Sequence, residues 1–193
     1  MANKYSDTAF VDKAIKFAVD AHANTERRGK GFPYVIHVLE AMAIVATITP
    51  DPEMLAAAAL HDTVEDTGVT VEQLEKEFGP RVAKMVANES DTPVAGGSEQ
   101  DSWRSRKQAA IDRLAAAPHD SKIVALGDKL SNMRAIARDY HAQGDALWSL
   151  FHAPGGKADH EWHYRGLAAS LSELDGTEAY REFAALIDDV FGA

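Results

Sequence analysis

Residues 55–68 read LAAAALHDTVEDTG, an apolar run followed at once by His61, Asp62, Glu65 and Asp66. One histidine and three carboxylates in so short a stretch bring together the nitrogen and oxygen donors that Mn, Fe and Zn accept. On a continuous helix His61 and Glu65 stand four apart, as do Asp62 and Asp66, so all four would share one broad face. Carboxylates crowded at a helix C-terminus repel one another and oppose the macrodipole. A bound divalent cation would relieve both penalties. The bland alternative is a helix end whose charges disperse into water. Against it stands the lead-in from Leu55 to Leu60, apolar in every direction, which predicts a buried helix.

A metal centre needs further ligands, and the chain offers His37 in PYVIHVLEA and Asp128 in ALGDKLSN. His37 sits among Ile36, Val38 and Leu39, a setting that also suits a hydrogen-bonded core histidine. Asp128 lies opposite the stripe of Leu126, Leu130, Met133 and Ala137, a face that normally meets solvent. Its neighbours on that face are Ser121, Ala125, Asn132 and Ala135, small residues suited to a helix bordering a cleft.

Helical spacing recurs throughout and alternating β-branched runs are almost absent, which predicts an all-α fold. Ser6 offers a cap for a first helix through Phe10, Ala14, Phe17, Ala18 and Ala21, ending before a turn at 29–32. A second helix is expected over about 34–48. Asp51 and Pro52 supply a start for the quoted helix, expected to stop near Gly68. Thr70 and Gln73 form a capping-box pattern, Gly79 a stop and Pro80 a restart, with that helix ending near Glu89. SDTPVAGGSEQDS, residues 90–102, reads as a long loop. Helices are expected again over about 103–116, 121–141, 145–151, 157–173 and 177–191.

The chain has 193 residues, 46% of them hydrophobic and 26% charged, which fits one soluble domain with a substantial core. No apolar run approaches the roughly 20 residues of a bilayer span. No cysteine occurs and the N-terminus lacks a signal-peptide pattern, so a cytoplasmic location is expected. A net charge of −10 opposes binding to DNA or RNA. A small anionic substrate is still accommodated by local basic clusters, ERRGK (26–30) and WRSRK (103–107).

Taken in order, RRGKGFPYVIH, ALHDTVEDTGVT, WRSRK and ALGDKLSNMR resemble the HD superfamily of metal-dependent phosphohydrolases. Within it they are similar to the hydrolase domain of Rel/SpoT proteins and to the stand-alone small alarmone hydrolases, enzymes of the stringent response. The likeness runs from about residue 10 to about 140, and HDTVEDT with a downstream DKLSN is its most specific part. It implies an HD-domain helical bundle with a metal site in a central cleft. The whole of 1–193 would then be a single hydrolase domain, its core over about 5–142 and its C-terminal helices, about 145–191, packed on that core.

The resemblance further implies His37, His61, Asp62 and Asp128 as ligands to one divalent ion, usually Mn²⁺, with Glu65 and Asp66 as the catalytic pair. The reaction implied is removal of the 3′ pyrophosphate from (p)ppGpp, giving GDP or GTP. Arg28 matches a residue that stacks on guanine, Asn132 one at the nucleoside pocket, and Arg106 and Lys107 a basic pair facing phosphates. Gly29 stands where a second basic residue is common, with Lys30 or Arg27 as substitutes, and Val38 replaces a proline. The 90–102 loop is lengthened and carries no lysine. Those departures leave room for another nucleotide, such as the 2′-phosphate of NADPH, or for a metal-containing module that binds without turnover. Oligomeric state is left open by the sequence.

Overall fold

A computed structural model describes residues 8–27, 29–89 and 99–192, with the backbone alone for 99–102. The expected cap Ser6 lies outside these residues. The described chain is all-α: α1 Thr8–Ala21, α2 Val35–Ala46, α3 Pro52–Leu60, α4 Thr63–Asp66, α5 Val71–Phe78, α6 Pro80–Glu89, α7 Glu99–Ala115, α8 His119–Gln143, α9 Lys157–Ser170 and α10 Glu178–Phe191. Two 3-10 helices, Gly144–Leu150 and Ser172–Leu174, join the last three. Among the described residues the only bridge of strand type pairs Glu26 with Pro33.

The chain divides into two compact units, residues 1–90 with 118–131, and 91–117 with 132–193. In the first unit α3 is the central element. Ala56 to Leu60 are wholly buried, as are Ala14 and Ala18 of α1, so alanine faces let neighbouring helices approach closely. Gly127 on α8 serves the same end, because a Cβ there would lie 2.7 Å from both the Ala41 carbonyl oxygen and Val45 Cγ2 on α2. Only glycine lets these two helices come so near, and each carries one candidate ligand.

Local chemistry fixes the ends of the helices. The Asp51 side chain accepts from the Glu53 amide, the Thr70 hydroxyl accepts from the Gln73 amide, and Gly79 closes α5 at φ +88° with Pro80 opening α6. Arg81 of α6 reaches Asp51 at 2.9 Å and Glu53 at 2.7 Å, and also pairs with Asp120 at the start of α8. In the second unit Ser170 of α9 donates to the Ile111 carbonyl of α7, and Arg134 forks onto Glu182 at 2.6 and 2.7 Å.

Three expectations are corrected. The helix begun at Asp51 does not run to Gly68: it stops at Leu60, His61 and Asp62 form a turn, and α4 is a single turn. The Thr63 hydroxyl donates to the Leu60 carbonyl at 2.7 Å and Thr67 donates to that of Thr63, local bonds that compete with the helix ladder. Residues 99–102, read as loop, belong to α7, while 90–98 lie outside the described residues. The C-terminal segment expected at 157–173 breaks after Ser170 into a 3-10 turn.

Candidate metal centre

The first unit brings His37 from α2, His61 and Asp62 from the turn after α3, and Asp128 from α8 into one cluster, with one donor atom of each lying within 4.8 Å of all the others. His37 Nε2 is 3.1 Å from Asp128 Oδ1 and 3.5 Å from Asp62 Oδ2. His61 Nε2 is 2.9 Å from Asp62 Oδ2 and 3.4 Å from Asp128 Oδ1. Asp128, expected on a solvent-facing side of its helix, is only 6% exposed. The small residues beside it, Ser121 and Ala125, are buried with it.

The far sides of both imidazoles define their tautomers. His61 Nδ1 lies 2.8 Å from the Ala58 carbonyl oxygen, which can only accept, so Nδ1 carries the proton. His37 Nδ1 lies 2.8 Å from Ser131 Oγ, and that hydroxyl donates its own proton to Glu40 Oε2 at 2.8 Å. Ser131 must therefore accept from His37 Nδ1–H. In the neutral rings both Nε2 lone pairs then point at carboxylate oxygens, and both atoms are buried with no hydrogen bond completed. Acceptors facing acceptors in a buried cluster call for positive charge between them, which a proton on an imidazole or a bound metal cation supplies. Two imidazole nitrogens and two carboxylates suit a divalent transition ion.

The electrostatics agree. Burial alone would lower the pKa of His61, but Asp62 and Asp128 outweigh it and hold it well above its usual value, so this point attracts positive charge. Burial opposes ionisation of Asp62 and Asp128, yet the histidines, and Lys129 for Asp128, hold both below the usual carboxylate range.

Residues not singled out by the sequence complete the surroundings. The Tyr34 hydroxyl donates to Asp62 Oδ2 at 2.7 Å; burial and that carboxylate hold the phenol firmly protonated. His22 stacks on Tyr34 with ring centroids 4.9 Å apart, buried with neither ring nitrogen hydrogen-bonded, and its burial lowers its pKa although Asp62 and Asp66 pull the other way. Arg27, expected as a basic substitute, lies over the same Tyr34 ring, its guanidinium carbon 5.2 Å from the centroid. Lys129 Nζ pairs with Asp128 Oδ2 at 2.6 Å and Glu89 Oε2 at 3.2 Å; burial, and then Asp128, raise the Glu89 pKa against the pull of Lys129.

Glu65 and Asp66 occupy exposed positions on α4, directly after the cluster, and the charge of Asp66 is felt by Tyr34 and His22. The Asp66 amide donates to the Asp62 carbonyl at 2.9 Å, so one turn still links the pair despite the broken helix. Lys30 is half-buried in the 26–33 turn, its amide donating to the Arg27 carbonyl at 2.9 Å. Arg28 lies outside the described residues. Asn132, half-buried, follows Asp128 by one helical turn on α8. Arg106 and Lys107 belong to α7 in the second unit, where Lys107 adds to the burial that lowers the His160 pKa.

An all-α chain with a buried two-histidine, two-aspartate cluster is a helical metal-centre protein by its architecture. A family model described as HD domain matches residues 14–153, and the chain belongs to that family. It is 36% identical over 137 residues to the guanosine-3′,5′-bis(diphosphate) 3′-pyrophosphohydrolase MESH1 of Danio rerio, covering 69% of this chain and 72% of that one. A solved structure described as a metazoan orthologue of SpoT that hydrolyses ppGpp superposes with a TM-score of 0.71 at 25% identity, over 95% of this chain and 94% of the other. A crystal structure from Listeria monocytogenes EGD-e gives 0.69 at 26% identity, over 81% and 99%.

Proposed function

We propose that this protein is a metal-dependent hydrolase of (p)ppGpp, releasing pyrophosphate and leaving GDP or GTP. The observation that carries the proposal is the buried cluster with two inward Nε2 lone pairs, in a chain 36% identical to a MESH1 pyrophosphohydrolase. His37, His61, Asp62 and Asp128 hold the ion, and Mn²⁺ is the one proposed. A divalent cation there supplies positive charge that acidifies water and neutralises phosphoryl oxygens.

The chain's own residues perform the rest. Glu65 and Asp66, carboxylates on the exposed turn beside the cluster, orient the attacking water and accept its proton. Water adds to the diphosphate, the bond from phosphorus to the 3′ oxygen breaks, and that oxygen takes up a proton in the nucleotide product. Tyr34 holds Asp62 in place through its hydroxyl. Arg28, Lys30 and Asn132 bind the guanosine end, and Arg106 and Lys107 meet phosphates. A family match crossing both compact units supports one hydrolase domain formed by the whole chain. The proposed place of action is the cytoplasm, on a guanine nucleotide in alarmone turnover; no described helix is long and apolar enough to cross a membrane. The net charge of −10 favours a small substrate over DNA or RNA.

Incubation of the purified protein with ppGpp and Mn²⁺ tests this. Release of pyrophosphate with GDP is expected; an inert protein under those conditions, or one that cleaves NADPH and leaves ppGpp intact, overturns the reading.

A further inference from the structure

The two histidines of the cluster are oriented by different means. His61 is held by a backbone carbonyl, that of Ala58, which no substitution removes. His37 is held by a side chain, Ser131, and through it by Glu40. His37 and Ser131 are 3% and 1% exposed, so no bulk water stands ready to replace either partner. Glu40 is half-buried one turn beyond His37 on α2, and Ser131 lies one turn beyond Asp128 on α8. The spacing of three places Glu40 on the His37 side of α2 and Ser131 on the Asp128 side of α8, so the two meet across the helices behind His37.

We infer that Ser131, backed by the Glu40 carboxylate, is the positioning residue that fixes His37 with its proton on Nδ1 and its Nε2 lone pair toward the metal. This inference rests on the metal reading of the cluster. The direction of the chain is forced: Glu40 can only accept, so the single hydroxyl proton of Ser131 goes to it, and Ser131 must accept from Nδ1–H. A negative charge at the end of the chain polarises both bonds and makes Nε2 a stronger donor, as carboxylates behind ligand histidines do elsewhere. Without the hydroxyl the ring is free to take the other tautomer, which turns an N–H toward Asp128 in place of a lone pair.

The test compares the wild-type chain with Ser131→Ala, Ser131→Thr and Glu40→Gln, using Mn²⁺ titration calorimetry and long-range ¹H–¹⁵N spectra of the histidine rings in metal-free protein. Ser131→Ala is expected to weaken Mn²⁺ binding by about 10–100-fold and to give His37 a mixture of tautomers. Ser131→Thr keeps the hydroxyl and should stay near wild type in both. Glu40→Gln keeps an acceptor but loses the charge, so the tautomer should persist while affinity falls by less than in Ser131→Ala. A purely structural serine would lower melting temperature without moving the tautomer. Wild-type affinity and an unchanged His37 tautomer in Ser131→Ala overturn the inference; should that variant not fold, unchanged affinity in Glu40→Gln does so. A wild-type chain that binds no Mn²⁺ defeats the metal reading itself, whereas a wild type that binds Mn²⁺ and cleaves ppGpp leaves that reading standing whatever Ser131 does.

Discussion

His37 Nε2 and Asp128 Oδ1 stand 3.1 Å apart, although one residue comes from α2 and the other from α8. What sets this separation is the glycine next to Asp128. A methyl group at Gly127 would press on the Ala41 carbonyl and Val45 at 2.7 Å, and neither backbone nor β-branched side chain yields cheaply. Gly127→Ala is expected to push α8 away from α2, costing about 1–3 kcal/mol of stability and weakening divalent-metal binding together. Thermal melts with and without Mn²⁺ check it; a variant with wild-type melting and affinity would show that the two helices do not need this contact.

Glu65 and Asp66 are assigned to proton transfer, not to the ion. Glu65→Gln with Asp66→Asn should therefore lower turnover of ppGpp by about 10²–10⁴-fold while the protein still binds Mn²⁺. Both positions are exposed, so folding should be unaffected. Steady-state rates and metal content measured on the same preparation separate the roles. Unchanged turnover, or loss of the ion, contradicts the assignment.

His160 gives the second unit a pH dependence of its own. It packs against Phe151 and Trp148 with centroids 4.7 and 5.4 Å away, and burial lowers its pKa to about 4, with Lys107 adding to burial and Asp159 opposing. Folded, the ring stays neutral until about pH 4; unfolded, it takes a proton near its ordinary value of 6.5. Between those values the unfolded chain holds the extra proton, so stability falls as pH drops from 6.5 toward 4 and the contribution is complete above 6.5. The loss is of the order of 1–3 kcal/mol. His160→Phe should melt with a shallower dependence over that window; parallel curves for the two proteins would refute a neutral buried ring.

Much of the fold was legible because its signals are local. Thr70, Gly79 and Pro80 each act within a turn of themselves, and α5 and α6 fall where those residues put them. The break at His61 was hidden because it depends on which way two threonine hydroxyls turn, Thr63 to the Leu60 carbonyl and Thr67 to that of Thr63. The burial of Asp128 was obscured by the apolar stripe on the other side of α8, since periodicity reports one face of a helix and this one is covered on two. Tyr34, Ser131 and Glu40 were not legible because each meets its partner, Asp62, His37 and Ser131 in turn, from a distant part of the chain, and His22 joins them only by stacking on Tyr34. The repeated spacing, His37 with Glu40 and Asp128 with Ser131, was the available sign, and it carries meaning only once α2 and α8 are known to meet.

The proposed site places one divalent ion among His37, His61, Asp62 and Asp128. Metal content of the purified chain after equilibration with Mn²⁺, set beside that of Asp128→Asn, tests it most directly. One ion per wild-type chain is expected, with near-complete loss in the variant, which keeps the shape of the side chain and removes its charge. A wild type without bound ion, or a variant that holds it equally well, would contradict it.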